Sequence, residues 1–139
     1  MIKRALVTVG CLSLVLAVPA SAGKTTVKWF VSPNRNVSCQ VSSGVALGTL
    51  AYCQTIKPAR SATLHGNGFV KFCKGSACLG DPEETAKTLK AGTDATVGPF
   101  TCFGERPNII TCYVTKTGKG FEASSTGIKK ITLRKVATL

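Results

Sequence analysis

The sequence predicts an all-β domain: a small antiparallel β-sandwich or barrel of hairpins stapled by three disulfides, with at most one short helical turn near residues 82–90. Three observations carry this. Short runs rich in β-branched and aromatic residues alternate apolar with polar along the chain. Glycine, proline, asparagine and serine punctuate them. Five of the seven cysteines lie in these runs.

The first segment stands apart from the fold. Met1–Ala22 reads as a secretory signal peptide, with Lys3 and Arg4 as its charged start, Ala5–Val18 as its apolar run, and Ala20-Ser21-Ala22 as a small-residue cleavage signal after Pro19. The apolar run is shorter than the roughly 18 residues a spanning helix needs. Thr8 stands where a lipid-attachment motif at Cys11 would want an aliphatic residue. Cleavage near Ala22 leaves one domain, residues 23–139. It trims the 139-residue, +12 chain to 117 residues with six cysteines and a net charge of +10. The expected location is outside the cell or in its envelope.

The runs then follow in order. Thr26–Ser32, Val37–Val41, Leu50–Ile56, Thr63–His65, Phe69–Cys73, Val97–Phe103, Ile109–Thr115, Gly120–Ser124 and Lys129–Val136 read as strands. In the last, Ile131, Leu133 and the stem of Lys135 share one face, and Lys130, Thr132, Arg134 and Val136 the other, which predicts a half-buried strand with a basic outer side. Ser32–Asn36, Glu105–Asn108 and Thr117–Gly120 read as turns, and Gly66-Asn67-Gly68 as a hairpin connection. Asp81-Pro82-Glu83-Glu84 carries an N-cap residue, proline at the first helical position and acids in the first turn, so it fits a short helical turn to about Lys90 or an irregular acidic loop. Phe30-x6-Val37-Ser38-Cys39 echoes Phe103-x6-Ile110-Thr111-Cys112, an echo that implies two similar hairpins, one near each end of the domain.

Cys39, Cys53, Cys73, Cys78, Cys102 and Cys112 are an even set on an exported chain, and read as structural disulfides. Their spacing favours three sequential pairs among the many connectivities open to them. Each bridge stabilises by roughly 2–4 kcal/mol, which matters for a chain with only 6% aromatic residues. The nine aromatics mostly sit next to cysteines in strand patterns and read as core. Zinc would want paired knuckles or histidine partners. The chain has one histidine and no C-x-x-C, so neither a metal nor a cofactor is expected.

Catalytic signatures are sparse. His65 sits beside a glycine turn, where a lone histidine is most often a surface residue. Nothing in the sequence places it with Glu105 or Glu122 as an acid–base pair. G-x-S-x-G is absent, and Gly118-Lys119-Gly120 lacks the rest of a phosphate loop. Asp81, Glu83 and Glu84 fall in one capped turn and look structural. Asn36-Val37-Ser38 matches the common glycosylation tripeptide.

The positive charge is spread, and densest toward the C-terminus: Lys116, Lys119, Lys129, Lys130, Arg134 and Lys135. Solvated strand faces explain it simply. The functional reading is attraction to anionic envelope polymer or lipid headgroups. Specific nucleic-acid binding would add aromatic stacking platforms and is not expected. A monomer is expected. The class favoured is a non-catalytic binding or structural accessory; the alternative is a small secreted hydrolase or a hydrolase inhibitor.

Several stretches together carry a resemblance. Phe30-Val31-Ser32-Pro33-Asn34-Arg35-Asn36-Val37-Ser38-Cys39, Tyr52-Cys53-Gln54-Thr55, Cys73–Gly80, Gly98–Cys102, Ile110–Cys112 and Gly118–Phe121 with Gly127-Ile128 are similar to a small secreted cysteine-rich domain of unknown function common in actinobacteria. The likeness spans about Lys28 to Ile131. It implies export and six paired cysteines, and it implies no activity, cofactor or catalytic residue. Where that family often reads T-P-T-L-x-Y-G, this chain reads Ala86-Lys87-Thr88-Leu89-Lys90-Ala91-Gly92.

Overall fold

The structure is a computed structural model and describes residues 23–134. The predicted signal peptide and Lys135 lie outside the described residues. Eleven strands form among them: β1 (Thr26–Val31), β2 (Val37–Ser43), β3 (Leu50–Thr55), β4 (Arg60–His65), β5 (Val70–Lys74), β6 (Lys87–Thr88), β7 (Asp94–Val97), β8 (Phe100–Arg106), β9 (Ile109–Val114), β10 (Lys119–Ser124) and β11 (Gly127–Thr132). They make two sheets, β5-β4-β3-β2-β1-β6 and β11-β10-β9-β8-β7. Every pairing is antiparallel except that of β6 with β1. The predicted all-β fold is the one observed.

The sheets pack face to face because alternate residues on each strand are apolar. Val37, Cys39 and Val41 of β2 and Ala51 and Cys53 of β3 turn inward from the first sheet. Phe100 and Cys102 of β8, Ile110 and Cys112 of β9, and Phe121 and Ala123 of β10 meet them from the second. Strand β7 lies over β1 and β2, while β10 and β11 lie over β3 and β4. The edge strands β5 and β11 therefore share one rim of the sandwich, and β6 and β7 share the other.

The three disulfides are the sequential ones: Cys39–Cys53, Cys73–Cys78 and Cys102–Cys112. Two of them bridge residues directly opposite each other in a hairpin, Cys39 with Cys53 on β2 and β3 and Cys102 with Cys112 on β8 and β9. Their Cα atoms are 4.1 Å apart in each case, the close spacing of a directly opposed antiparallel pair. All three lie within a sheet or at its edge, so burial, not cystine, holds one sheet to the other.

Several sequence readings change. No helical turn forms at residues 82–90; Glu84 and Thr85 make a turn, and Lys87–Thr88 is the short parallel strand β6. The one 3-10 turn among the described residues is Ser76–Cys78, inside the small disulfide loop. Proline and acidic residues favour a helix start only where an amphipathic face can be buried, and here only Leu89 reaches the core. The single run Val97–Phe103 is two strands, because Gly98, at φ 53°, and Pro99 form a hairpin turn between β7 and β8.

On β11 the inward side belongs to Ile128, which packs on the core. Ile131 and Leu133 therefore face outward, one register away from the expected half-buried arrangement. Of the nine aromatics, Phe30, Phe100 and Phe121 are core residues, whereas Phe69 and Phe72 are exposed and the rest are half-buried on outer faces. The two echoing hairpins both exist, and their turns touch through the Asn34 amide donating to the Pro107 carbonyl at 3.2 Å. Their registers differ, however. Phe30 stands opposite Cys39 and points inward, while an irregularity between Gly104 and Arg106 sets Phe103 opposite Thr111 and turns it outward.

Candidate functional site

Three surface features are built by this fold. The first is a strap. After β5 the chain crosses the outer face of the six-stranded sheet to reach its far edge as β6. Gln54, buried on β3, clamps it at Gly80: its side-chain nitrogen donates to the Gly80 carbonyl at 2.9 Å, and its oxygen accepts from the Gly80 amide at 2.7 Å. The Tyr52 hydroxyl donates to the Cys78 carbonyl at 2.8 Å. Asp81 and Glu83 ride on the strap above Trp29 and Gln40, enclosing only about 70 Å³. These acids are part of a strap and not of a capped helix.

The second feature is a groove of about 510 Å³ on the outer face of the five-stranded sheet, walled by Phe103, Tyr113, Ile131 and Leu133. Gly120 stands between Tyr113 and Ile131 in the cross-strand row, so no side chain rises there. Glu105 and Glu122 both line the groove. Thr111, opposite Glu122 on the neighbouring strand, donates to Glu105 Oε2 at 3.5 Å. Lys129 Nζ lies 3.0 Å from Glu122 Oε1.

His65 is far from both carboxylates. It points outward from the other sheet, its neighbour Leu64 being the core residue, and its ring stacks on Phe69 with centroids 5.8 Å apart. The acid–base pairing weighed for His65 is thus ruled out by sides: the sheets lie between, roughly 10 Å apart at their backbones.

The third feature is a cleft of about 300 Å³ at the rim where β5 and β11 come together. Arg60 of β4 and Phe72 and Lys74 of β5 belong to the inward-facing register of the first sheet, in line with Ala62, Leu64 and Val70. Ile128 and Lys130 belong to the inward register of the second. Ile128 packs on the margin of the core; Arg60 lies at the end of β4, and Phe72, Lys74 and Lys130 lie on the edge strands, so these four reach the rim. Lys129 reaches it from the outer side of β11.

Of the basic residues singled out in the sequence, Lys129 and Lys130 line this cleft. They point to opposite faces of β11, as neighbours on a strand must, so the group is not one face. Lys116 is exposed in the turn between β9 and β10. Lys119 is exposed at the start of β10 and lays its stem over Gly68. Arg134 is exposed just past β11. Sequence reasoning missed Arg60, Phe72 and Lys74 as members of the cluster. The signal was present: in Arg60-x-Ala62-x-Leu64 and Val70-x-Phe72-x-Lys74 a cation continues an apolar stripe.

The sulfurs of Cys39, Cys53 and Cys112 lie within 4.8 Å of one another. That is the spacing of a thiolate metal site, but each sulfur is spent in a disulfide and offers no thiolate. Asn36 uses both ends of its amide on the Lys57 backbone, at 2.9 and 3.0 Å, so its role in the fold is to hold the turn before β2 to the one after β3. No helix among the described residues is long and apolar enough to cross a membrane. No family model matches the chain, and neither does any curated protein or solved structure.

Proposed function

We propose that this is an exported, non-catalytic accessory of the cell envelope, of the small actinobacterial secreted type, that adheres to anionic envelope components through its cationic surface. The three disulfides are consistent with an oxidising, extracellular location. The observation that carries the reading is the scarcity of compensation: Lys129 with Glu122 is the one ion pair among the described residues. The other described cations meet no carboxylate, and their field extends into solvent.

The test is retention on an immobilised anionic polymer across a salt gradient. Screening shortens from about 10 Å at 0.1 M salt to about 3 Å at 1 M, so retention is lost as salt rises. Retention unchanged at high salt overturns the reading.

A second reading, a small secreted hydrolase, is favoured by Glu105 and Glu122 sharing the outer groove with Phe103 and Tyr113. Glycoside hydrolysis uses two such carboxylates across a cleft. Release of reducing ends from envelope glycan by the native protein but not by Glu105→Gln supports it. Equal release by both, or none by either, excludes it.

A further inference from the structure

We propose that the rim cleft between β5 and β11 is a binding site for a single-chain fatty carboxylate. The carboxylate is held by Arg60, Lys74 and Lys130, and the methylenes next to it lie on Phe72 and Ile128. This rests on the reading of the protein as a binder of anionic envelope components and narrows it to one site and one ligand class.

The argument begins with the charges. Arg60, Lys74, Lys129 and Lys130 line the cleft and no acidic side chain does. The Arg60 guanidinium donates to its neighbour's carbonyl, that of Ala59, at 2.9 Å, and Lys129 is drawn to Glu122 on the outer face. Arg60, Lys74 and Lys130 are left as cations of one sign converging from two sheets, an arrangement that an entering anion relieves.

Protection of edge strands accounts for part of this pattern. Inward-pointing charges on β5 and β11 discourage pairing with another chain. It does not account for Phe72, which keeps 43% of its surface exposed in the middle of the cations. A bare phenyl ring on an edge strand works against protection. With Ile128 it makes an apolar wall beside the charges, the combination an anion with a hydrocarbon tail recognises.

Size selects among such anions. The cleft, at about 300 Å³, stands at the lower limit of small-molecule sites, about 300–1,000 Å³, which suits one chain and not two. Its floor is stiff: the Cys73–Cys78 bridge pins the end of β5 next to Phe72, and β11 pairs with β10 along its whole length.

The experiment is a titration of the isotope-labelled, oxidised protein with dodecanoate below its micelle concentration, followed by amide and methyl shifts. Acetate, inorganic phosphate and a neutral dodecyl glycoside serve as comparison probes. The expected result is saturable shifts centred on Phe72 and Ile128, with each comparison probe at least tenfold weaker. Lys74→Glu with Lys130→Glu weakens dodecanoate at least tenfold. Phe72→Ser weakens it as much, and the spectrum of each variant reports that the fold is intact.

Acetate or phosphate binding as tightly as dodecanoate, the neutral glycoside binding as tightly, or shifts centred on the outer groove of Phe103 and Tyr113 would overturn the proposal. Polymer retention without dodecanoate binding sinks the cleft alone. Dodecanoate binding without polymer retention sinks the adhesion reading alone.

Discussion

The Sγ atoms of Cys53 and Cys112 stand 3.6 Å apart, although each is already bonded to another sulfur, that of Cys39 and that of Cys102. Neither carries a hydrogen, so this is a van der Waals contact between two cystines, one from each sheet. Both residues are fully buried. The two bridges thus act as polarizable core side chains that meet at the middle of the sandwich, in a core whose described aromatics are only Phe30, Phe100 and Phe121.

That contact couples the two bridges. With cysteines 14 and 10 residues apart, loop entropy assigns about 3 and about 2.7 kcal/mol to Cys39–Cys53 and Cys102–Cys112. Replacing each pair by alanine is expected to lower stability by at least these amounts in urea unfolding. Removing both is expected to depart from the sum by about 0.5 kcal/mol or more, because the pairs share a contact. The Cys73–Cys78 bridge, with a separation of 5, is worth about 2 kcal/mol and adds independently. Additivity across the two core bridges would show that the contact carries no energy.

One buried side chain, Gln54, makes two of the hydrogen bonds that hold the strap to the sheet. Gln54→Leu removes both bonds to Gly80, at about 1 kcal/mol each. Stability is expected to fall by about 1–2 kcal/mol. Amide exchange at Gly80 and cleavage within residues 79–86 should rise more steeply than in the core, and unchanged exchange at Gly80 would count against the clamp.

Gly120 is a packing glycine. An added Cβ would meet the Cys112 carbonyl oxygen and come within 2.6 Å of the Tyr113 Cα. Gly120→Ala is therefore expected to destabilise by about 1–3 kcal/mol, with β9 and β10 shifting apart. Gly66→Ala is the comparison: nothing lies within 4 Å of its Cβ position, and its thermal midpoint should stay close to that of the native protein.

Glu122 restrains one cation at the rim. Its pair with Lys129 is largely exposed on the lysine side, at 69%, so Glu122→Gln is expected to change stability by less than about 0.5 kcal/mol. The same change frees Lys129 and removes a negative charge. Retention on anionic polymer should then extend to higher salt, measured as the elution point in a gradient. Elution at lower salt than the native protein would contradict the role assigned to the rim.

Much of the fold was legible because its determinants are local. Hairpins come from turn residues such as Gly66-Asn67-Gly68 between alternating runs, and two of the three bridges close hairpins. The errors have local causes too. Gly98-Pro99 was hidden inside an apolar run, and Pro82-Glu83-Glu84 carried helix-start chemistry without an apolar face to bury. The aromatics misled more. Phe103 sits next to Cys102 and reads as core, yet the irregularity after Gly104 puts it on the outer face. A register shift of one residue reverses a side chain's face, and nothing in composition announces it.

The candidate site was the least legible part. Lys129 and Lys130 stand out as neighbours in the chain, but their companions Arg60, Phe72 and Lys74 lie more than fifty residues earlier. Alternation shows which residues share a face of one strand, and cysteine spacing shows which strands are bridged; both are properties of neighbouring residues. That β5 and β11 meet at the same rim depends on how two twisted sheets stack around a shared core. Only that packing brings an arginine, three lysines, a phenylalanine and an isoleucine into one cleft, and turns a diffuse positive charge into a place where a ligand can sit.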